Sequence, residues 1–389
     1  MEALTMIALP LFTRGFPLIV SSLLLSHFVV ADANSRLDEA LAQIRAVGKE
    51  GAGNQAATQA IQVLHAAPVS YLMEVLQGMK DASPIAQNWL RNAAEGLADQ
   101  AMKGQADLPL LDLTAFVLDV NEDPSARALG FDFLRQVDDA AAMILLRGLI
   151  NDPSNALRRQ AIGQLMDQAK HALGEGRDQA ARILLRQGIE HAREVEQIRW
   201  IADQLATLGA EINVARLLGM LTDWQVIGPF HNKDRSGFDT VFPPEIGLDL
   251  KASYQGKTDK VSWRSIQSDD SFGMVDLNQP YPGYLKEVTA YAYHAFESDQ
   301  EQEVELRLGC KNAWKIWLNG QWLFGRDEYH RGAKMDQYIL PVHLKAGINH
   351  ILIKLCQNEQ VEDWTVEWEF QLRLCDATGK GVQSSGLAD

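Results

Sequence analysis

The sequence is poor in cysteine and in positive charge. Of its 389 residues only three are cysteines, Cys310, Cys356 and Cys375, which can form one disulfide bond at most. A framework of several disulfides is therefore excluded. Lysine and arginine total 36 against 51 acidic residues, which gives a formal net charge of −15. This acidity argues against nucleic acids and anionic membranes as partners.

The sequence also lacks the short motifs of common metal and catalytic sites. There is no Cys-x-x-Cys or His-Glu-x-x-His spacing, no Gly-x-Ser-x-Gly elbow and no phosphate-binding glycine loop. Asp327 and Glu328 are adjacent, so they are unsuited to flank one glycosidic bond as an acid and base pair. We therefore expect a non-catalytic protein without cofactor or metal. A glycoside hydrolase, or an accessory subunit of one, is an alternative.

Residues 1–33 have the pattern of a secretory signal peptide. Arg14 precedes an apolar run from Gly15 to Val30, and Ala31-Asp32-Ala33 offers a small-x-small cleavage site. Serine and histidine interrupt the run, which is also short for a transmembrane span. We expect cleavage after Ala33, export to the periplasm or exterior of a bacterial cell, and no transmembrane span in the mature chain. An uncleaved N-terminal anchor is the alternative.

Residues 34–221 show the periodicity of amphipathic helices. In the first segment the apolar residues recur at steps of three and four: Leu37, Ala40, Leu41, Ile44 and Val47. An Asp-Pro-Ser triplet occurs twice, starting at Asp123 and Asp152, 29 residues apart. Each triplet offers an N-cap and a proline for the first helical turn. The spacing suits a pair of antiparallel helices, so an α-solenoid is predicted, with an irregular bundle as the alternative.

This repeat resembles HEAT repeats. HEAT repeats also favour aspartate at the turn and an Arg-x-x-Ala pattern in the second helix, matched here by Arg158 and Ala161. The resemblance implies a HEAT-like scaffold for residues 34–221.

Residues 222–375 consist of short segments rich in valine, isoleucine, tyrosine and tryptophan, separated by turn residues. This pattern predicts an all-β sandwich. The chain is thus expected to be α plus β with two domains. The polar, glycine-rich residues 376–389 are expected to form a flexible tail.

One segment of this half, "KNAWKIWLNGQWLFGR", concentrates tryptophans around Asn319-Gly320. Asn-Gly favours a two-residue type I′ hairpin, which fixes the pairing of the strands. Leu318 should face Gln321 and Trp317 should face Trp322, followed by Ile316 with Leu323 and Lys315 with Phe324. Alternation then places Trp314, Ile316, Leu318 and Leu323 in the core. Lys315, Trp317, Trp322 and Phe324 lie on the other face.

Two facing indoles on an outer surface suggest a carbohydrate site, because flat aromatic rings stack on the apolar faces of sugars. The loop that follows, Gly325 to Gly332, adds polar groups that can bond sugar hydroxyls. The predicted carbohydrate-binding residues are Trp317, Trp322, Arg326, His330 and Arg331. The alternatives are a tryptophan pair packed under another segment and a solvated loop with local ion pairs.

The sandwich segment resembles the galactose-binding-like jelly roll found beside β-galactosidase-type glycosidase domains. Leu318-Asn319-Gly320 matches the Val/Leu-Asn-Gly hairpin of that family. A second motif, Leu-x-x-Gly-x-Asn-x-Leu, is matched by Leu344, Gly347, Asn349 and Ile351. The resemblance runs from about Asp223 to Leu374. It implies a jelly-roll fold and, in many members, sugar binding; other members only support a neighbouring domain.

The segment "HNKDRSGFDTVFPPE" contains His231, Asp234, Asp239 and Glu245, a set of groups that could hold calcium, although the spacing matches no EF-hand. Pro243-Pro244 is expected to stiffen a connection. Taken together, the sequence predicts an exported, non-catalytic protein with a helical scaffold and a sandwich that binds a polysaccharide or glycan. The alternative is a cell-envelope scaffold whose helical domain binds another protein and whose sandwich only packs.

Overall fold

The computed structural model describes residues 34–104 and 106–386, so the predicted signal peptide at residues 1–33 lies outside the described part. The chain is α plus β, as predicted: helices precede antiparallel sheets. It divides into two compact units, one ending at Leu157 and the other running from Arg158 to Asp389. The change from helix to strand thus falls near the expected 221/222 boundary, whereas the compact units divide earlier. Among the described helices, none is long and apolar enough to cross a bilayer.

The first unit is built of helices. They are α1 (34–45), α2 (Asn54–His65), α3 (Leu72–Gln77), α4 (Pro84–Met102), α5 (Leu110–Leu118), α6 (Pro124–Val137) and α7 (Asp139–Leu146). The sequence sets their starts: the Ser83 hydroxyl caps α4 by accepting from the amide of Ala86 at 3.2 Å, with Pro84 in the first turn. The buried face of α4 consists of small and aliphatic side chains. The amphipathic periodicity is thus realised as packed helices.

The two Asp-Pro-Ser triplets behave differently. Asp123 caps α6 as predicted, accepting from the amides of Ser125 and Ala126 at 2.9 Å. Asp152 forms a buried ion pair with Arg127 at 2.6 Å and also accepts from the amide of Ser154 at 2.8 Å, just before α8 begins at Asn155. Asp152 thus bonds the backbone at the start of α8 much as Asp123 does at α6, and it also holds the Arg127 guanidinium. The HEAT-like classification stays a prediction.

Helix α8 (Asn155–Gly174) contains the division between the units. The second unit continues with α9 (Asp178–His191), α10 (Val195–Thr207), α11 (Val214–Leu218) and the short α12 (Pro243–Ile246). Its strands are β1 (Asp223–His231), β2 (Ser253–Gln255), β3 (Lys260–Ser262), β4 (Arg264–Gln267), β5 (Val275–Asp276), β6 (Val288–Ser298), β7 (Gln302–Cys310), β8 (Ala313–Leu318), β9 (Gln321–Arg326), β10 (Tyr338–Leu344), β11 (Gly347–Gln357) and β12 (Glu369–Cys375).

The strands form two main antiparallel sheets. One has six strands in the order β4-β1-β6-β11-β8-β9, and the other has four in the order β10-β7-β12-β5. Strands β2 and β3 make a separate ribbon. Inward side chains of both main sheets share one apolar core, which includes Trp224, Phe296 and Phe370. The protein therefore has a two-sheet sandwich, and its jelly-roll class stays a prediction.

The six-stranded sheet carries a second apolar cluster on its outer face. It contains Ile227, Phe230, Val261, Tyr291, Tyr293 and Leu352. Phe242, Tyr254 and Trp263, from the segment after β1, pack against it. The outer face is thus covered at one end by residues 238–263, whereas the hairpin end carries the exposed Trp322.

Residues 376–386, expected to be part of a flexible tail, make backbone hydrogen bonds with the sandwich. The amide of Val382 donates to the carbonyl of Leu374 at 2.9 Å, and that of Ser385 to the carbonyl of Glu297 at 3.0 Å. Arg158 donates to the carbonyl of Thr378 at 2.9 Å. The segment therefore adds to the packing of the second unit.

All three cysteines are free and buried, so no disulfide links them. Burial raises the pKa of the Cys310 thiol to about 12. The thiols are thus neutral, apolar parts of the sandwich interior.

Candidate functional site

The predicted hairpin is confirmed. Strands β8 and β9 are joined by Asn319 and Gly320, whose φ angles are 54° and 80°. Trp317 pairs with Trp322 and Leu318 with Gln321, as expected from a two-residue turn. The turn chemistry therefore places the two tryptophans opposite each other.

Beyond these pairs the register differs from the prediction. Ile316 pairs with Phe324 and Lys315 with Gly325, because a β-bulge at Leu323 adds one residue to β9. The predicted pairs Ile316–Leu323 and Lys315–Phe324 are therefore wrong. Phe324 packs against the core, with its ring centroid 6.0 Å from that of Trp314, instead of joining the outer tryptophans.

The two tryptophans of the pair differ in exposure. Trp314, Ile316 and Leu318 are buried in the core, as predicted. Trp317 points to the outer face and packs partly buried against the second apolar cluster. Trp322 remains 57% exposed. The outer face thus presents one anchored indole and one open indole.

A cleft of about 180 Å³ adjoins Trp317. Its lining includes Glu245, Tyr293, His350 and Leu352, together with the backbone at Gly320. The Tyr293 and His350 rings stack with centroids 5.9 Å apart and planes 22° apart, and the Tyr293 hydroxyl bonds His350 Nδ1 at 2.8 Å. The cleft therefore combines aromatic faces with a carboxylate and an imidazole.

Glu245 is held in this cleft by Lys354. The fully buried ammonium donates to Glu245 Oε1 at 2.8 Å and to the carbonyls of Phe238 and Thr240 at 3.0 and 2.6 Å. The Tyr291 hydroxyl also donates to Glu245 Oε1. Burial lowers the pKa of Lys354, while the neighbouring Glu245 carboxylate acts to raise it. One ammonium thus fastens the segment 238–245 to the sheet.

Two of the candidate calcium ligands form ion pairs with lysines. Asp239, which is exposed, pairs with Lys315 at 3.2 Å, and Glu245 pairs with Lys354. Among the residues that the structure describes, no group of three or more histidine, cysteine or carboxylate side chains is placed to hold a metal ion. Two of the four candidate calcium ligands therefore bind lysine ammonium groups, Glu245 that of Lys354 and Asp239 that of Lys315.

The polar residues predicted to support the tryptophans lie apart from them. Arg326 pairs with Trp314, three positions along β8 from Trp317, which is about 10 Å. Its guanidinium lies over the Phe324 ring at 5.4 Å. Arg331 is exposed and forms an ion pair with Glu328 at 3.3 Å.

His330 belongs to a different cluster. Its Nε2 bonds Asn358 Oδ1 at 2.9 Å, and its ring meets the edge of Trp364 with centroids 5.4 Å apart. Burial is the main cause that lowers the pKa of His330, and Lys286 and Lys311 add to it. The structure therefore brings together Trp317 and Trp322, but not Arg326, His330 and Arg331 around them.

Sequence reasoning missed Glu245, Tyr293 and His350 as cleft residues. A partial signal was present, because the alternation in "VTAYAYHAFES" puts Tyr291 and Tyr293 on one face of β6. Glu245 gave no such signal, because its place over the sheet depends on Lys354, more than 100 positions later in the chain.

Comparisons with known proteins find only distant structural likenesses. No protein-family model and no curated protein matches the chain. A β-glucosidase from Kluyveromyces marxianus in complex with glucose aligns at 11% identity over 23% of this chain and 11% of its own, with a TM-score of 0.19. A family 35 carbohydrate binding module from Clostridium thermocellum aligns at 14% identity over 23% of this chain and 78% of its own, with a TM-score of 0.17.

A third likeness covers most of both chains. The alkylpurine DNA glycosylase AlkC of Pseudomonas fluorescens, bound to DNA containing an abasic site analog, aligns at 13% identity over 90% of this chain and 95% of its own. Its TM-score is 0.19. Scores of this size carry no argument about the function of the chain, which spans only about a tenth of the β-glucosidase.

Proposed function

We propose that the protein is an exported, non-catalytic carbohydrate-binding protein whose sandwich holds sugars on its outer face. The observation that supports this most is the Trp317–Trp322 pair beside the cleft with Glu245 and His350. The helical unit serves as a HEAT-like scaffold, and the sandwich is of the galactose-binding jelly-roll type.

The chemistry of the cleft suits a sugar. An exposed indole offers a flat apolar face for a pyranose ring, while a carboxylate accepts hydrogen bonds from hydroxyls. A carboxylate has about four acceptor positions, of which the described contacts of Glu245 use two, from Lys354 and Tyr291. Stacking on Trp322 and hydroxyl bonds to Glu245 would hold the ring from two sides.

A substitution of Trp322 tests this proposal. Trp322→Ala should weaken binding to the best ligand of a glycan array about two- to tenfold, since an aromatic contact contributes about 0.5–1.5 kcal/mol. Trp364→Ala is the matched control, because Trp364 is 56% exposed against 57% for Trp322 but lies in the His330 cluster. Equal binding by Trp322→Ala and the parent protein would contradict the site. If only Trp364→Ala lost glycan binding, the carbohydrate site would lie in the loop with His330.

The proposal of a non-catalytic role has its own test. Glu245 is the only carboxylate among the residues that line the described cleft, whereas glycoside hydrolysis generally uses two. We expect no release of reducing sugar from a polysaccharide that the protein binds. Release that disappears in Glu245→Gln would establish a hydrolase instead.

A second candidate function, a cell-envelope scaffold that contacts another protein, is favoured by one observation. Aliphatic side chains beside the cleft are open to solvent: Ile246 is 80% exposed, Ile348 52% and Leu248 39%. Exposed apolar groups of this kind often mark protein interfaces. Acrylamide quenching separates the two functions, because a bound glycan should protect Trp322 whereas a purely protein-binding surface should show no protection by any glycan.

A further inference from the structure

A second recess lies on the same outer face of the six-stranded sheet. It has a volume of about 540 Å³ and is lined by Asp223, Gln225, Ser265, Gln267 and Leu250, among others. Tyr293 lines both this recess and the cleft at Trp317. The two depressions therefore share a boundary residue.

The strand register shows that the two depressions are aligned. Direct cross-strand partners form one unbroken row over all six strands: Ser265, Gln225, Tyr293, Leu352, Trp317 and Trp322. Direct partners in antiparallel strands point to the same face. Tyr293, Leu352 and Trp317 belong to the outer cluster, so the whole row points outward. With strands about 4.8 Å apart, the row is about 24 Å long.

The chemistry changes along this row. Trp322 and Trp317 form an aromatic end, and the nearly buried Tyr293 and Leu352 form the middle. Gln225 and Ser265 form a polar end. There the side-chain amide of Gln225 donates to the Ser265 hydroxyl at 2.7 Å. The Gln225 amide and the Ser265 hydroxyl can both donate and accept, which matches sugar hydroxyls.

The segment 246–250 runs beside the middle of the row. Leu248 lines the cleft at Trp317, and Leu250 lines the second recess. A ligand that occupies both depressions must therefore pass Tyr293 and touch this segment.

The negative charge of the two depressions limits which ligands they can bind. Asp223 and Glu245 each contribute a carboxylate to the two depressions, and the whole chain has a net charge of −15. These negative charges repel polyanions and leave neutral polyhydroxy chains as the matching class.

We propose that the row is an extended groove that binds the interior of a neutral, linear glycan lying across the strands. Sugars stack on Trp317 and Trp322 at one end and bond Gln225, Ser265 and Asp223 at the other. This inference rests on the proposed carbohydrate function and adds to it the length and charge of the ligand.

The test measures affinity against ligand length by isothermal titration calorimetry. The probes are neutral cello-, xylo- and manno-oligosaccharides of two to six units, with oligogalacturonates as the anionic comparison. We expect the hexasaccharide of one neutral series to bind at least tenfold tighter than its disaccharide. The oligogalacturonates should bind more weakly than the neutral series.

Variants at the two ends separate their roles. The double variant Gln225→Ala with Ser265→Ala should lose most of the gain with length and leave disaccharide binding unchanged, whereas Trp322→Ala should weaken both. His343→Ala, at an exposed position of β10 in the other sheet, is the control and should change neither. An unchanged urea midpoint verifies that the variants fold.

The outcomes distinguish this inference from the function on which it depends. Affinity that does not rise with length, or a double variant that binds the hexasaccharide like the parent protein, overturns the groove but leaves the site at Trp322. Preferential binding of oligogalacturonate overturns the proposed ligand class. No binding of any neutral oligosaccharide, together with no binding on the glycan array, overturns both.

Discussion

Replacing Lys354 by methionine should destabilise the sandwich strongly. The ammonium of Lys354 is fully buried and has three oxygen partners: Glu245 Oε1 and the carbonyls of Phe238 and Thr240. Methionine preserves most of the aliphatic volume but provides no donor and no charge. Glu245, whose side chain is only 11% exposed, then keeps the hydrogen bond from the Tyr291 hydroxyl.

The expected magnitude follows from these contacts. Removing one member of a buried ion pair costs about 3–5 kcal/mol, because the remaining charge is left uncompensated. The carbonyls of Phe238 and Thr240 also lose their donor, which adds to this cost. Because Glu245 retains one donor and slight solvent contact, we expect a decrease of about 4 kcal/mol in the free energy of unfolding. The double variant Lys354→Met with Glu245→Gln removes both charges, so it should recover about half of that loss.

Lys315 provides a matched control, since it is the direct cross-strand partner of Lys354 and lies on the same face. Its ion-pair partner Asp239 is 88% exposed, and its ammonium lies 4.1 Å from the centroid of the Phe238 ring. An exposed pair and a cation–π contact together contribute about 1 kcal/mol, so Lys315→Met should cost about that much.

Urea unfolding followed by tryptophan fluorescence measures both losses. All nine tryptophans except Trp89 and Trp200 lie between residues 224 and 368, so the signal reports mainly on the sandwich. If Lys354→Met and Lys315→Met lower the free energy of unfolding equally, the reasoning about the buried ammonium is refuted.

Three further predictions concern buried groups. Burial raises the pKa of the thiols, to about 12 for Cys310 and about 11 for Cys356 and Cys375, so Ellman's reagent should label them in urea and not in the native protein; rapid native labelling would contradict this. His294 has its pKa lowered from 6.5 by burial, so its NMR titration midpoint should fall below that value, and its contribution to stability should be full above pH 6.5 and decline as the pH falls below it. Arg127→Met removes the guanidinium that pairs with the buried Asp152 carboxylate and should cost about 3–5 kcal/mol in thermal unfolding, and a loss below about 1 kcal/mol would exclude a structural role for the pair.

Local chemistry made part of the fold predictable from the sequence. Asn319-Gly320 requires positive φ at two successive residues, which the structure shows, and the first two strand pairs follow from it. Asp123 followed by Pro124 likewise predicted the start of α6. In both places the deciding interactions lie within a few residues of each other.

Long-range contacts explain what the sequence did not predict. The carboxylate of Asp152 accepts from the nearby amide of Ser154, but its ion pair with Arg127, 25 positions away, was not predicted. Glu245 enters the cleft because Lys354 binds it from β11. His330 turned toward Asn358 and Trp364 instead of the tryptophan pair, because its loop packs against another loop. Such pairings depend on the assembled tertiary structure, which local patterns do not encode.

The bulge at Leu323 decides how many rings the hairpin offers to solvent. If β9 had the same sequence but no bulge, Leu323 would oppose Ile316, and Phe324 would oppose Lys315 on the outer face instead of packing near Trp314. Deleting Leu323 would remove the bulge but leave Phe324 opposite Ile316, so the outer face would still present two rings. The bulge residue Leu323 thus allows one short hairpin to place Phe324 in the interior and Trp322 on the outer surface.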